Sequence, residues 1–340
     1  MSKLTIDKVA ELACVSRSVV SRVLNGHPNV SEEARKRVLE VIRKHNYRPN
    51  SVARSLATQR TYEICILSPR RNNEALGNGF WTLLHLGIFE QCIARGYFVS
   101  LSILSPEVED TLRDRILYEH RFDGFVLLTH EVARLLIEPL RTRNIPTVLV
   151  GHNRAYKDIC SVDVDNFTGA YRAVRHLCKL GHRRIAMILG TPELEETHER
   201  QGGYEQAIQD CGAEVDERLI AVGDYSQRSG YEIMQAWLKQ GPDFSAVFCT
   251  SDTMAIGALL ALYEAGVRVP GEMAVVGFDD LPAAAYTCPP LTTIKQPIYE
   301  KGRWAATMLI EQIEGNKQPV VHANLEARLI VRQSCGAYLH

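Results

Sequence analysis

Thr5-Ile6-Asp7-Lys8-Val9-Ala10 and Val15-Ser16-Arg17-Ser18-Val19-Val20-Ser21-Arg22-Val23-Leu24-Asn25, followed by Tyr47-Arg48-Pro49-Asn50-Ser51-Val52-Ala53-Arg54-Ser55-Leu56, decide how the N-terminal part of this chain is built. Thr5 is placed to cap a helix, and Ile6, Val9, Ala10 and Ala13 recur at helical spacing, so a first helix is expected over about 6–13. Ser16 caps a second helix that turns Val19, Val20, Val23 and Leu24 inward. Ser31 opens a third, whose stripe Val38, Val41 and Ile42 ends before Tyr47 and Pro49. Three short helices with a tight first turn make a helix-turn-helix. In such a module the N-terminal part of the second helix meets base edges, here through Arg17, Ser18, Ser21 and Arg22. Arginine can donate two bonds to guanine, and serine can donate or accept. Residues 50–57 read as a short helix capped by Asn50, with Val52, Ala53 and Leu56 apolar, too short to be stable alone.

Charge is distributed to match. Residues 1–61 hold twelve Lys/Arg against five acids, whereas the whole 340-residue chain has a net charge of −1. A basic head on an acidic body suits a DNA-binding module joined to a sensor, because only the head has to replace phosphate counterions. The nine cysteines show no CxxC, and Cys65, Cys92 and Cys249 sit in apolar runs as small hydrophobes. This usage, with no apolar signal region and no apolar stretch of bilayer-spanning length, points to reduced thiols in a cytoplasmic protein with no membrane partner.

From residue 62 onward apolar runs alternate with amphipathic stretches. Strands are expected at 63–67, 98–103, 124–128, 147–150, 161–164, 185–189, 246–249 and 274–276. Helices are expected near 81–95, 108–120, 132–142, 167–180, 199–211, 228–239, 252–265 and 298–314. Repeated β-α alternation implies parallel sheets covered by helices. The length is large for one sheet, so two Rossmann-like lobes with a cleft between them are expected.

The pieces Val9-Ala10, Val15-Ser16, Val20-Ser21-Arg22-Val23-Leu24-Asn25, Val30-Ser31 and Tyr47-x-Pro49-Asn50-x-x-Ala53-x-x-Leu56 resemble, spacing included, the DNA-binding head of the LacI-GalR family of bacterial transcriptional regulators. The resemblance continues through Asp163-Val164-Asp165-Asn166, Gly181-His182-Arg183-Arg184-Ile185, Glu199-Arg200, Ser251-Asp252, Val276-Gly277-Phe278-Asp279-Asp280 and Leu291-Thr292-Thr293-Ile294-Lys295-Gln296-Pro297, which are similar to the family's effector-binding core. It implies an all-α helix-turn-helix head (1–48), a hinge helix and linker (49–61) and an α/β body (62–340) of the periplasmic-binding-protein type. The N-lobe would be about 62–162 with 293–322, and the C-lobe about 163–290 with 323–340. It implies that Arg17 and Ser18 set operator preference, that Arg22 makes a shared base contact, and that Thr5, Ser16, Ser21 and Asn25 contact phosphates. In the hinge, Leu56 would enter the minor groove beside Asn50 and Ala53 and kink the duplex by roughly 20–90°. Cys14 departs from the family's usual turn glycine.

For the cleft, the resemblance implies ligand contacts by Arg200, Tyr225, Ser251, Asp252, Asp279 and Gln296, with Phe80 and Trp81 as a facing wall. Gly151 stands where the lactose repressor has an acidic ligand group, so that binding mode does not transfer. Other chemistry is poorly supported. Asp279-Asp280 are adjacent on one loop and do not form a catalytic pair. His176-x-Cys178-x-x-x-His182 has no fourth metal ligand. The reading is a non-enzymatic regulator without metal or cofactor, a repressor of carbohydrate-utilisation genes that binds pseudo-palindromic operator DNA as a homodimer and is released by a sugar. A purine- or nucleoside-responsive co-repressor logic, or a sugar-binding transport component, are the alternatives.

Overall fold

A computed structural model of the chain describes residues 4–24, 28–47, 60–69, 79–104, 114, 116, 121–128, 130–151, 156–316 and 319–338. The chain divides into two units, Met1–Tyr62 and Glu63–His340. The first holds α1 (Ile6–Leu12), α2 (Arg17–Leu24) and α3 (Glu32–Lys44). All three expected caps form. Thr5 Oγ1 accepts from the Lys8 N–H at 3.3 Å, Ser16 Oγ from Val19 at 3.4 Å and Ser31 Oγ from Ala34 at 3.3 Å. The apolar stripes close on Val9, Val20 and Val38, which are completely buried. Asn25 and the hinge residues Asn50, Ala53 and Leu56 lie outside the described residues.

The turn from α1 to α2 passes through Cys14 at φ +51°. A side chain in this left-handed conformation costs roughly 1 kcal/mol relative to glycine. Cys14→Gly is therefore expected to stabilise the head by a few tenths of a kcal/mol to ~1 kcal/mol, net of the extra freedom glycine gives the unfolded chain. A denaturation midpoint of the head no higher than that of the parent protein contradicts this.

In the second unit, runs such as Ile64-Cys65-Ile66-Leu67 and Ile185–Leu189 are buried, as strands covered on both faces by helices must be. One sheet contains β1 (Glu63–Pro69), β2 (Phe98–Leu104), β3 (Gly124–Leu127), β4 (Thr147–Val150) and β5 (Cys160–Val164). The other contains β6 (Ile185–Leu189), β7 (Ile220–Val222), β8 (Ala246–Cys249), β9 (Ala274–Asp279) and β10 (Thr292–Lys295). Two C-terminal strands, β11 (His322–Leu325) and β12 (Arg328–Ile330), complete the pair. The orders are β11-β5-β4-β3-β1-β2 and β12-β10-β9-β8-β6-β7. All pairings are parallel except β10 with β12. The same winding is thus used twice, although the sequence shows no repeat.

The helices are α4 (Gly79–Ala94), α5 (His130–Thr142), α6 (Asn166–Lys179), α7 (Glu195–Asp210), α8 (Gln227–Gln240), α9 (Asp252–Glu264) and α10 (Ile298–Ile313). The expected helix near 108–120 falls largely outside the described residues. The strand ladders shift the expected lobe boundaries. Thr293–Lys295, expected in the N-lobe, pair with β9 in the second sheet, and Ala323–Leu325, expected in the C-lobe, pair with β5 in the first. Such short strands take their sheet from backbone pairing, which side-chain pattern does not reveal. The chain therefore crosses between lobes after β5, after β10 and between β11 and β12.

One cysteine expectation is corrected. Cys178, in the last turn of α6, is disulfide-bonded to Cys211, which caps α7. The two are 33 residues apart and meet because α6 and α7 pack along each other. No local spacing signals that approach.

Candidate functional site

In α2 the inward residues Val20 and Val23 leave Arg17, Ser18 and Arg22 exposed, with Ser21 half-buried beside them. These four stand at i, i+1, i+4 and i+5, on one side of the helix. Arg17 Nη1 lies 3.7 Å from Asp7 Oδ1, an exposed ion pair, and Ser18 Oγ lies 2.8 Å from Ser16 Oγ. Thr5 accepts from its own helix, which leaves its hydroxyl hydrogen for an external acceptor, and the Ser16–Ser18 pair uses one of its two hydroxyl hydrogens internally and keeps the other. The surface has the groups required for base and phosphate contact.

The body has a cleft of about 890 Å³, its open mouth included, lined by both apolar and polar side chains as small-molecule sites are. Its wall is built at the carboxyl ends of the parallel strands, where open α/β sheets bind ligands. Phe80 and Trp81 follow β1, Leu128 follows β3, and Val150 and Gly151 close β4. Asp163 is near the end of β5. Leu194 and Glu196 follow β6, Asp224 and Tyr225 follow β7, and Ser251 and Thr253 follow β8. Asp279 ends β9, and Gln296 and Lys301 follow β10.

Of the eight residues expected here, seven line the cleft. Arg200 is buried, donates from Nε to Asn166 Oδ1 at 3.0 Å and from Nη1 to the Thr250 carbonyl at 2.5 Å, and lies 3.9 Å above the Phe278 ring. Its orientation is thereby fixed. Asp279 Oδ1 accepts from Gln296 Nε2 at 2.5 Å, and Gln296 Oε1 accepts from Lys301 Nζ at 3.3 Å. Lys301 also pairs with Asp163 at 3.2 Å and lies 5.4 Å from the Phe80 ring centroid. Ser251 caps α9 by accepting from the Met254 N–H. Burial raises the Asp279 carboxyl above its ordinary range. It pushes the Tyr225 phenol up to about 12, so that ring stays a neutral donor.

Asp252 is the exception. It has no accessible surface and does not line the cleft. Its Oδ2 accepts from the Leu281 N–H at 2.8 Å and its Oδ1 from Thr293 Oγ1 at 2.5 Å, so it joins α9 to the loop after β9 and to β10. The carboxylate is consumed by structure, and burial, with Asp279 nearby, raises its pKa. Sequence reasoning missed Asp163, Glu196, Asp224, Thr253 and Lys301 as cleft residues. The usable signal was position, since each follows or ends a strand at its carboxyl end or lies within the next helical turn.

Tyr225 and Asp279 have φ values of +68° and +132°. Left-handed backbone at residues with side chains costs roughly 1–3 kcal/mol each and concentrates at ligand clamps. Tyr225 is further fixed by Thr197, 2.9 Å from its hydroxyl, and by Gly190, where a Cβ would fall 1.9 Å from the ring. Gly190→Ala should therefore displace the Tyr225 ring and weaken effector binding by ~10-fold or more, an overpacking effect of about 1–3 kcal/mol. Isothermal titration checks this, and an unchanged affinity would show that the ring does not touch the ligand.

Residues 5–50 match the family described as bacterial regulatory proteins, lacI family, and residues 174–335 match the periplasmic binding protein-like domain. The regulator CelR of Thermobifida fusca is 35% identical over 332 residues, covering 97% of this chain and 98% of CelR. A solved CelR–cellobiose complex, 34% identical, superposes with a TM-score of 0.76 over 97% of this chain and 99% of that one. The lac repressor dimer bound to operator and the anti-inducer ONPF, 26% identical, superposes with a TM-score of 0.83 over 98% of this chain and 99% of that one. The head's recognition helix, the twice-wound body and its cleft, and similarity to CelR along nearly the whole length establish that the chain belongs to the lacI family of bacterial regulatory proteins.

Proposed function

We propose that this regulator is a cytoplasmic repressor that binds a pseudo-palindromic operator as a homodimer and is released by a small carbohydrate in the cleft. The observation that carries the reading is the cleft itself: aromatic Phe80, Trp81 and Tyr225 surround converging polar groups from both lobes, the combination that binds the faces and hydroxyls of a sugar ring. The similar CelR has been solved with cellobiose, which agrees with a carbohydrate. A second copy has apolar surface to cover. Ile93 on α4 and Tyr263 on α9 are 69% and 79% exposed, with Leu86 and Leu260 also exposed on the same two helices. Among the described residues no helix is long and apolar enough to cross a membrane.

Ligand in the cleft changes the lobe arrangement and with it the population of dimers able to hold both half-sites. The coupling is reciprocal, so operator must disfavour an inducer by the same factor. A thermal-shift screen of sugars and purines identifies the effector, since a ligand at 100 times its dissociation constant stabilises by ~2.7 kcal/mol. Operator affinity is then measured with that ligand at saturation, and an unchanged value rejects the release scheme. For the hinge, Leu56→Ala should weaken operator binding and reduce DNA bending while sparing effector affinity. Equal bending by the variant in a circular-permutation gel rejects a leucine wedge.

A further inference from the structure

Cys178 and Cys211 close the far end of a helix pair whose near end serves the cleft. Asn166 opens α6 and accepts from the cleft residue Arg200 of α7. Next along the pair the helices come close, since a Cβ on Gly203 of α7 would fall 2.3 Å from the Phe167 carbonyl oxygen of α6. At the other end Cys178, in the last turn of α6, is bonded to Cys211, the C-cap of α7.

The two sulfurs have different surroundings. Cys178 is 6% exposed, whereas Cys211 is half-buried. Arg175 Nη1 lies 3.4 Å from Cys211 Sγ and 3.2 Å from the Asp210 carbonyl, so one fixed cation faces both the sulfur and the negative end of α7. The neighbouring Asp210 carboxylate is occupied by the Tyr171 hydroxyl and the Gln206 amide. An accessible sulfur beside a guanidinium is the setting of a reactive thiolate. Cys65, Cys92 and Cys249 have no accessible surface, and burial pushes their thiols up. Cys14 and Cys288 are exposed but free.

In the reducing compartment proposed above, disulfides are transient. We infer that Cys178 and Cys211 are a reversible redox modification site, in which Cys211 reacts with a peroxide and Cys178 resolves the product. The Cys211 thiolate attacks one oxygen of hydrogen peroxide and breaks the O–O bond. Sulfur is oxidised to the sulfenic acid, and the departing hydroxide takes a proton to leave as water. The Cys178 thiol then attacks the Cys211 sulfur. The S–S bond forms, the S–O bond breaks, and the thiol proton leaves with the hydroxyl as a second water. Two glutathione thiols reverse the bond by exchange and become glutathione disulfide.

The test starts from full-length protein reduced with dithiothreitol and desalted. It is treated with hydrogen peroxide, alkylated, and its cysteine peptides are mapped by mass spectrometry. The expected result is that Cys178 and Cys211 become linked to each other and that glutathione returns both as free thiols. In Cys178→Ser, dimedone should trap a sulfenic acid on Cys211, and in Cys211→Ser none should form on Cys178. Should either variant fail to fold, the mapping of the parent protein carries the inference. Arg175→Ala should slow the oxidation of Cys211 by ~10-fold, the loss of thiolate expected when a neighbouring cation is removed, while Arg175→Lys keeps most of the rate. An unchanged rate in Arg175→Ala overturns the role given to that residue. Thiols that both stay open to alkylation after peroxide, a bond that glutathione leaves intact, or a bridge from Cys211 to another cysteine overturns the inference.

Discussion

Lys301→Met is expected to destabilise the body by about 3 kcal/mol, because it leaves the buried Asp163 carboxylate without its cation. For a unit of this size that corresponds to a melting temperature lower by roughly 5–10 °C. The loss spreads beyond one pair. Lys301 Nζ also donates to Gln296, whose amide donates to Asp279, so a single ammonium links the end of β5 in one lobe to the end of β9 in the other. Asp163→Asn in the same chain should restore part of the stability, since it removes the stranded charge. Calorimetry of the single and double variants decides the point. A double variant no more stable than Lys301→Met alone would show that packing by the lysine stem is what matters.

Arg22→Ala should cost ~1–3 kcal/mol of specific binding per half-site, hence roughly 30-fold or more for a dimer on its operator. Arg22 is exposed on the free side of α2, behind which Val20 and Val23 anchor the helix in the head's core, so the substitution should leave the fold intact. Competition anisotropy against a scrambled operator separates the lost base contact from a lost charge. The discrimination ratio falls if Arg22 reads a base. If operator and scrambled affinities fall together, Arg22 is a phosphate contact. Arg17 is expected to act differently, changing which operator is preferred.

Local signals are legible in the sequence. Thr5, Ser16 and Ser31 cap the head helices because a capping hydroxyl and the backbone N–H that donates to it lie three residues apart. The core strands are legible as unbroken apolar runs. Strands β7, β11 and β12 are not, being three or four residues long, partly exposed and defined by their partners' ladders, and neither is β10, whose short, largely buried run Thr292-Thr293-Ile294-Lys295 is not apolar. Asp252 illustrates the same limit at the site. At a helix start after a strand it has the position of a ligand group, but Thr293, 41 residues away, and Leu281 take up its oxygens. Lys301 is not legible in the sequence, because its role depends on Asp163, 138 residues earlier in the chain. Arg200, Tyr225, Asp279 and Gln296 were recognised from motif positions, and their placement around one cleft is what folding supplied.

The shared ending of the two sheets has a genetic consequence. β11 closes one edge of the first sheet and β12 closes an edge of the second, within nine consecutive residues, 322–330. A stop codon just before residue 322 would strip an edge strand from each lobe in one stroke. For the same reason neither lobe is a contiguous cassette: recombination that exchanges effector specificity between such genes must carry the body as a whole, whereas the head can be exchanged at a single junction.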